Sequence, residues 1–179
     1  MLGSWLVQFA LIWWLTQTTG SATVLATATM VGILPQILIG PLAGTLVDRW
    51  NRRTVMIVAD GLIALTTLGL VVLNLFGAMQ VWTVYFVMGL RAIGGGFHDP
   101  AWQASISLMV PEEHLARIAG VNRTLHGVMH IASPGLGALL MALLPLSSVL
   151  AVDILTAAVA IAILYRVSIP QPSRSYDHT

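Results

Sequence analysis

The sequence predicts an all-α, polytopic membrane protein built from six transmembrane helices. Three observations carry this. The 179 residues are 57% hydrophobic and only 8% charged, against about 25% charged in soluble domains. The apolar residues gather in long runs separated by short polar turns. The arginines sit in alternate turns, the pattern that orients membrane helices. A soluble fold of this length has no interior large enough for so much apolar surface, so lipid is the solvent for much of it.

The elements follow in order. Met1 to Thr16 is apolar with Trp5, Trp13 and Trp14. At 1.5 Å per residue it reaches roughly 24 Å, short of a ~30 Å hydrocarbon core, and reads as part of a first span. Residues 17–21 form a polar turn. Val24 to Val47 is a full span containing Pro35 and Pro41. A charged hairpin precedes the third span, Thr54 to Phe76, and residues 77–80 turn the chain. The fourth helix, Val81 to Val110, is expected to be interrupted at Gly94-Gly95-Gly96 and Pro100. Glu112 and Glu113 suit the first turn of the fifth helix, which runs to Leu144 with an expected break at Pro134 and Gly135. Residues 145–148 turn again into the last span, Val149 to Tyr165. Residues 1–169 thus form one bundle, and 170–179 a polar tail or the start of a central linker.

All eight basic residues are arginine. Arg49, Arg52, Arg53, Arg117, Arg166 and Arg174 fall in or near the second and fourth loops and the C-terminus, while the other three loops have none. The positive-inside rule places the charged loops and the C-terminus in the cytoplasm of a multi-pass cell-membrane protein. The chain has no cysteine, which excludes disulfides and thiolate chemistry. A net charge of +1 without a basic stripe points away from nucleic acid. The N-terminus lacks the basic stretch of a cleavable signal peptide. No Walker loop, HExxH or nucleophile arrangement is present, so no enzyme activity and no cofactor are expected.

The second loop packs three arginines and an aspartate into residues 44–53. Gly44, Leu46, Asp48, Arg49, Arg52 and Arg53 resemble the signature loop of the major facilitator superfamily, where they would act in gating the cytoplasmic side. Val47 replaces the usual small residue. Asn51 replaces a glycine and is expected to keep a left-handed turn. Gly40 to Gly44, Asp99-Pro100-Ala101 and Val110 to Leu115 resemble the branch holding enterobactin exporters and macrolide efflux pumps. The resemblance covers residues 3 to 169. It implies the N-terminal half of a twelve-helix fold, two inverted three-helix repeats with a truncated first helix. It also implies secondary transport: proton-driven export of a hydrophobic or amphipathic molecule such as a drug, macrolide or siderophore. The implied partners are that substrate, protons, the bilayer and a C-terminal half or second chain. The alternative is a truncated, non-transporting membrane module.

Within the bilayer a charge is expensive and marks a functional position by default. Arg91 lies about ten residues into the fourth helix. It resembles the superfamily's fourth-helix arginine, with Gly95 at the glycine that follows and Gly94 where the family carries glutamine. Proton coupling and a structural pairing with a carboxylate are both open to it. Arg91, Gly95, His98, Trp102 and Ser105 recur at helical spacing, and the last four are candidate cavity-lining residues. Asp99 is the leading acid for proton coupling, with a structural Asp-Pro kink as the alternative. His126 and His130 share a face of the fifth helix with Arg123 and Pro134. They suit proton handling or polar lining, since no carboxylate on that face completes a metal site. Arg123 is expected to snorkel or to pair with Asp60. Pro134 and Gly137 stand in an antiporter-like small-residue segment and suit close packing with a bend. Asp60 and Asp153 read as structural anchors.

Overall fold

A computed structural model describes residues 2–167 and Ile169; the tail at 170–179 lies outside the described residues. The elements are α1 (Leu2–Thr19), α2 (Ala22–Val47), α3 (Arg52–Leu75), α4 (Val81–Met109), α5 (Glu112–Leu143) and α6 (Leu146–Arg166). No strand occurs among the described residues. Helices are the only open-chain elements that satisfy every backbone group without water. By length and composition α2, α3, α5 and α6 can each cross a membrane, with mean hydropathy of 1.8, 2.3, 1.3 and 2.3. Tryptophan, glutamine and threonine make α1 less apolar, as Arg91, His98 and Asp99 do α4.

Local chemistry sets the helix ends. α1 continues through the expected turn to Thr19, and the Thr16, Thr18 and Thr19 hydroxyls donate to carbonyls four residues back. Gly20 then takes φ +58, and Ser21 caps α2 by accepting from the Val24 N–H. Asn51 does not adopt a left-handed turn. Its φ is −68, and its side chain caps α3 by accepting from Thr54 N at 3.2 Å.

Two expected interruptions are absent. α4 is continuous through its three glycines and Pro100, and α5 is continuous through Pro134 and Gly135. The α4 glycines are packing surfaces. A Cβ on Gly94 would lie 3.0 Å from Ile63 of α3, and one on Gly96 3.4 Å from the Gln36 backbone of α2. Gly137 likewise lets α5 approach α1, its notional Cβ 2.5 Å from Phe9. Pro134 is exposed, so its ring faces away from the bundle.

The helices pack in the spatial order α5–α1–α6–α3–α4–α2, closed by a lighter α1–α2 contact. Exchanging α1, α2, α3 with α4, α5, α6 maps α1–α5 onto α4–α2, α1–α6 onto α4–α3 and α1–α2 onto α4–α5. The bundle is therefore two three-helix repeats. An odd number of spans per repeat makes them inverted. One core, around Leu11, Leu15, Leu70, Met88 and Leu150, lies at the end toward the loops at 20, 77 and 145. A second, around Val47, Val55, Met56, Ala101 and Ile169, closes the other end.

Glycine contacts give a direct test of the packing. Gly3→Ala puts a Cβ 2.8 Å from the Asp153 backbone, which cannot yield as a side-chain end can. It should cost roughly 1–3 kcal/mol in detergent unfolding. Gly120→Ala meets nothing within 4 Å and should be neutral or slightly stabilising.

Candidate functional site

Among the described residues the most buried charged group is Asp153, with 2% of its side chain exposed. Arg91 Nη1 lies 2.5 Å from its Oδ2, and Ser4 donates to Oδ1 at 3.3 Å. Arg91 also donates to Thr67, whose hydroxyl stands 2.9 Å from both Asp153 Oδ2 and the Ile63 carbonyl. One carboxylate thus gathers donors from α1, α3 and α4. An ion pair compensates the desolvation of both charges only with such supporting hydrogen bonds. Arg91 meets a carboxylate, the structural alternative left open by its spacing.

Toward the charged loop, the polar residues form a second string. His98 Nε2 lies 3.6 Å from Asp60 Oδ1, and its Nδ1 lies 3.6 Å from Asp99 Oδ1. Gln36 of α2 donates to the other Asp99 oxygen at 3.1 Å. Asp60 therefore faces His98. Arg123 instead lines a cavity with Asp99.

Three cavities surround these groups. One of about 450 Å³ lies between α4 and α5, lined by Asp99, Trp102, Asn122, Arg123 and His126 among others. One of about 260 Å³ lies inside the bundle, bounded by Ser4, Asp60, His98, Trp102 and Asp153. A third, of about 600 Å³, is an apolar groove between α3 and α4 with Arg49, Trp50 and Asn51 at its rim. The proposed lining face of α4 therefore divides. Trp102 borders both polar cavities and His98 the inner one. Gly95 faces Gln36, and buried Ser105 donates to its own helix at Ala101. His130 packs on the Trp5 ring at 4.9 Å, away from His126's cavity. Among the described residues no three His, Cys, Asp or Glu side chains cluster as a metal site.

The charged loop fastens helix ends. Asp48 ends α2, its N–H donating to Gly44 O, while its exposed carboxylate lies 3.7 Å from Arg52. Arg52 is buried and donates to Ala104 O of α4 at 2.7 Å. Arg53 donates to Tyr165 O and lies over that ring. Tyr165 lies in the last turn of α6, where cations are favoured, and Ala104 lies about one turn before the end of α4. Leu46 O accepts from the Arg49 and Trp50 N–H groups, closing the turn. A Cβ on Gly44 would meet nothing within 4 Å, so this bundle alone does not require a glycine there.

Thr67, Ser4 and Gln36 were not singled out from the sequence. Helix depth was an available signal for Asp153 as the partner of Arg91. The two lie seven and ten residues into helices that start at the same end, and Thr67 lies eight residues before the end of α3.

Long apolar helices in inverted repeats around a polar, charge-paired interior define a transporter-type membrane bundle. The chain belongs to the Major Facilitator Superfamily, whose family model matches residues 1–178. It is similar to Macrolide efflux protein A of Streptococcus pyogenes, 39% identical over 171 residues, covering 96% of this chain and 42% of that protein. It is also similar to Macrolide efflux protein A of Enterococcus faecalis, 39% identical over 152 residues, or 85% and 47% of the two chains. Multidrug efflux pump Tap of Mycolicibacterium fortuitum is 30% identical over 148 residues, or 79% and 36%. The chain spans less than half the length of these relatives.

The buried pair should dominate stability. Asp153→Asn leaves Arg91 uncompensated and should cost roughly 3–5 kcal/mol in detergent unfolding. Thr67→Val should cost only about 1 kcal/mol.

Proposed function

We propose that this chain is the N-terminal six-helix half of a proton-coupled exporter of hydrophobic or amphipathic molecules, macrolides first among them. The observation that carries this reading is 39% identity to a macrolide efflux protein across 96% of the chain. The geometry is compatible with it. The polar cavity between α4 and α5 offers apolar walls, Trp102 and the charged groups Asp99, Arg123 and His126. Amphipathic ligands suit such a mixed lining.

In this reading the halves rock about a site shared between them, residues 1–169 supplying one bundle and 170–179 leading toward a linker. Arg91 holds α4 against α3 and α6, and Asp99 exchanges protons. The loop at 44–53 helps close the cytoplasmic side. A second reading is a membrane module that does not transport without a second bundle; the chain spans less than half the length of these relatives. Erythromycin export discriminates. Inside-out vesicles carrying the chain with a second bundle should take up labelled erythromycin against an imposed pH gradient, and the chain alone should not. Asp99→Asn and Arg91→Ala should each lower driven uptake by roughly tenfold or more. Undiminished uptake in both would remove them from the mechanism.

Orientation has its own test, made clean by the absence of native cysteine. Single cysteines at Arg49 and Arg117 should react with an impermeant maleimide only from the cytoplasmic side, and cysteines at Thr18, Ala78 and Ser147 only from outside. The reverse labelling would invert the topology.

A further inference from the structure

Both ring nitrogens of His98 face carboxylates, one in each polar cavity. Nε2 lies 3.6 Å from Asp60 Oδ1, toward the inner cavity of about 260 Å³. Nδ1 lies 3.6 Å from Asp99 Oδ1, toward the α4–α5 cavity of about 450 Å³. Exposure rises along the string, with 16%, 18% and 41% of the Asp60, His98 and Asp99 side chains accessible. Gln36 holds Asp99 by Oδ2 and leaves Oδ1 turned to the imidazole. A histidine with a purely packing role needs one satisfied nitrogen. Two nitrogens, each 3.6 Å from a different acid, suit a proton shuttle.

We propose that His98 is a proton relay through α4, joining Asp60 in the inner cavity to Asp99 in the outer one. This rests on the proton-coupled reading above and names the residues that carry the coupling. The ring starts neutral with its proton on Nδ1. Asp60 transfers its carboxyl proton to Nε2, and the Nδ1 proton passes to Asp99 Oδ1. Asp60 ends ionised and Asp99 protonated. The ring ends neutral as the other tautomer. Asp99 then releases its proton into the outer cavity, and the ring resets by turning away from both acids to water, where Nε2 gives up its proton and Nδ1 takes one. Each 3.6 Å gap is about half an ångström beyond hydrogen-bond length, and a small side-chain rotation closes it.

The surrounding charges are few. α1 and α2 contain no titratable side chain. α3 contributes Asp60, its Arg52 and Arg53 being engaged with carbonyls of α4 and α6. α4 contributes Asp99 and Arg91, the latter paired with Asp153 of α6. Asp153 lines the inner cavity beside His98. α5 contributes Arg123 and His126 to the outer cavity.

The test uses the assembled transporter in proteoliposomes, with labelled erythromycin as probe and protein-free liposomes as background. Two rates are compared: exchange at equal pH, and accumulation driven by an imposed pH gradient. For His98→Gln and Asp60→Asn, the ratio of driven accumulation to exchange should fall about tenfold or more. An unchanged ratio in both variants overturns the relay while leaving proton coupling intact. Loss of exchange and accumulation in equal proportion also overturns it, because His98 is then structural. If the unsubstituted transporter exchanges erythromycin but ignores the gradient, the proton-coupled reading fails and the relay with it.

Discussion

The pairing of Arg91 with Asp153 is the constraint on which the rest of this bundle depends. A guanidinium and a carboxylate are both almost fully buried among apolar helices. Neither is tolerable there alone. Their contact fixes the depth and rotation of α4 against α6, Thr67 adds α3, and Ser4 adds α1. Apolar side chains in lipid supply little orientational preference. A charge pair with one geometry does, so it selects one packing among many similar ones.

The repeat symmetry explains why the polar residues fall where they do. α1, α3, α4 and α6 share the interior, whereas α2 and α5 lie against α4 and α1 on the flanks. The interior is sealed at one end by Leu11, Leu15, Leu70 and Leu150. Between that seal and the second core around Val47, Met56 and Ala101 it holds the inner cavity, and Gly94 and Gly96 set the spacing of α4 from α3 and α2. Arg52 and Arg53 tie the start of α3 to the ends of α4 and α6 beside the charged loop. The signature loop therefore has a structural duty within this bundle, separate from any contact with a second one.

Much of this architecture was legible in the residues. Apolar runs and alternating arginines give the helix count, because both follow from the cost of burying charge in lipid. The loop at 44–53 points to the family through Gly44, Asp48 and the arginines, and the family match bears that out. Helix continuity was less legible. Gly94 to Gly96 and Pro100 read as interruptions from backbone propensity, but neighbouring helices pack against the glycines and the helix runs on. Asn51 was read for its conformational freedom, yet its side chain is an ordinary helix cap. Side-chain partners across helices were the least legible. Asp60 and Asp153 both read as anchors, but one faces His98 and the other Arg91, separated from them by 38 and 62 residues.

Arg91 and Asp153 stabilise the bundle through each other. A double-mutant cycle measures this directly. Unfolding of the unsubstituted chain, Arg91→Met, Asp153→Leu and the double variant is followed in one detergent. The expected coupling energy is about 2 kcal/mol or more, with the double variant recovering much of what either single variant loses. Additive losses with negligible coupling would contradict it.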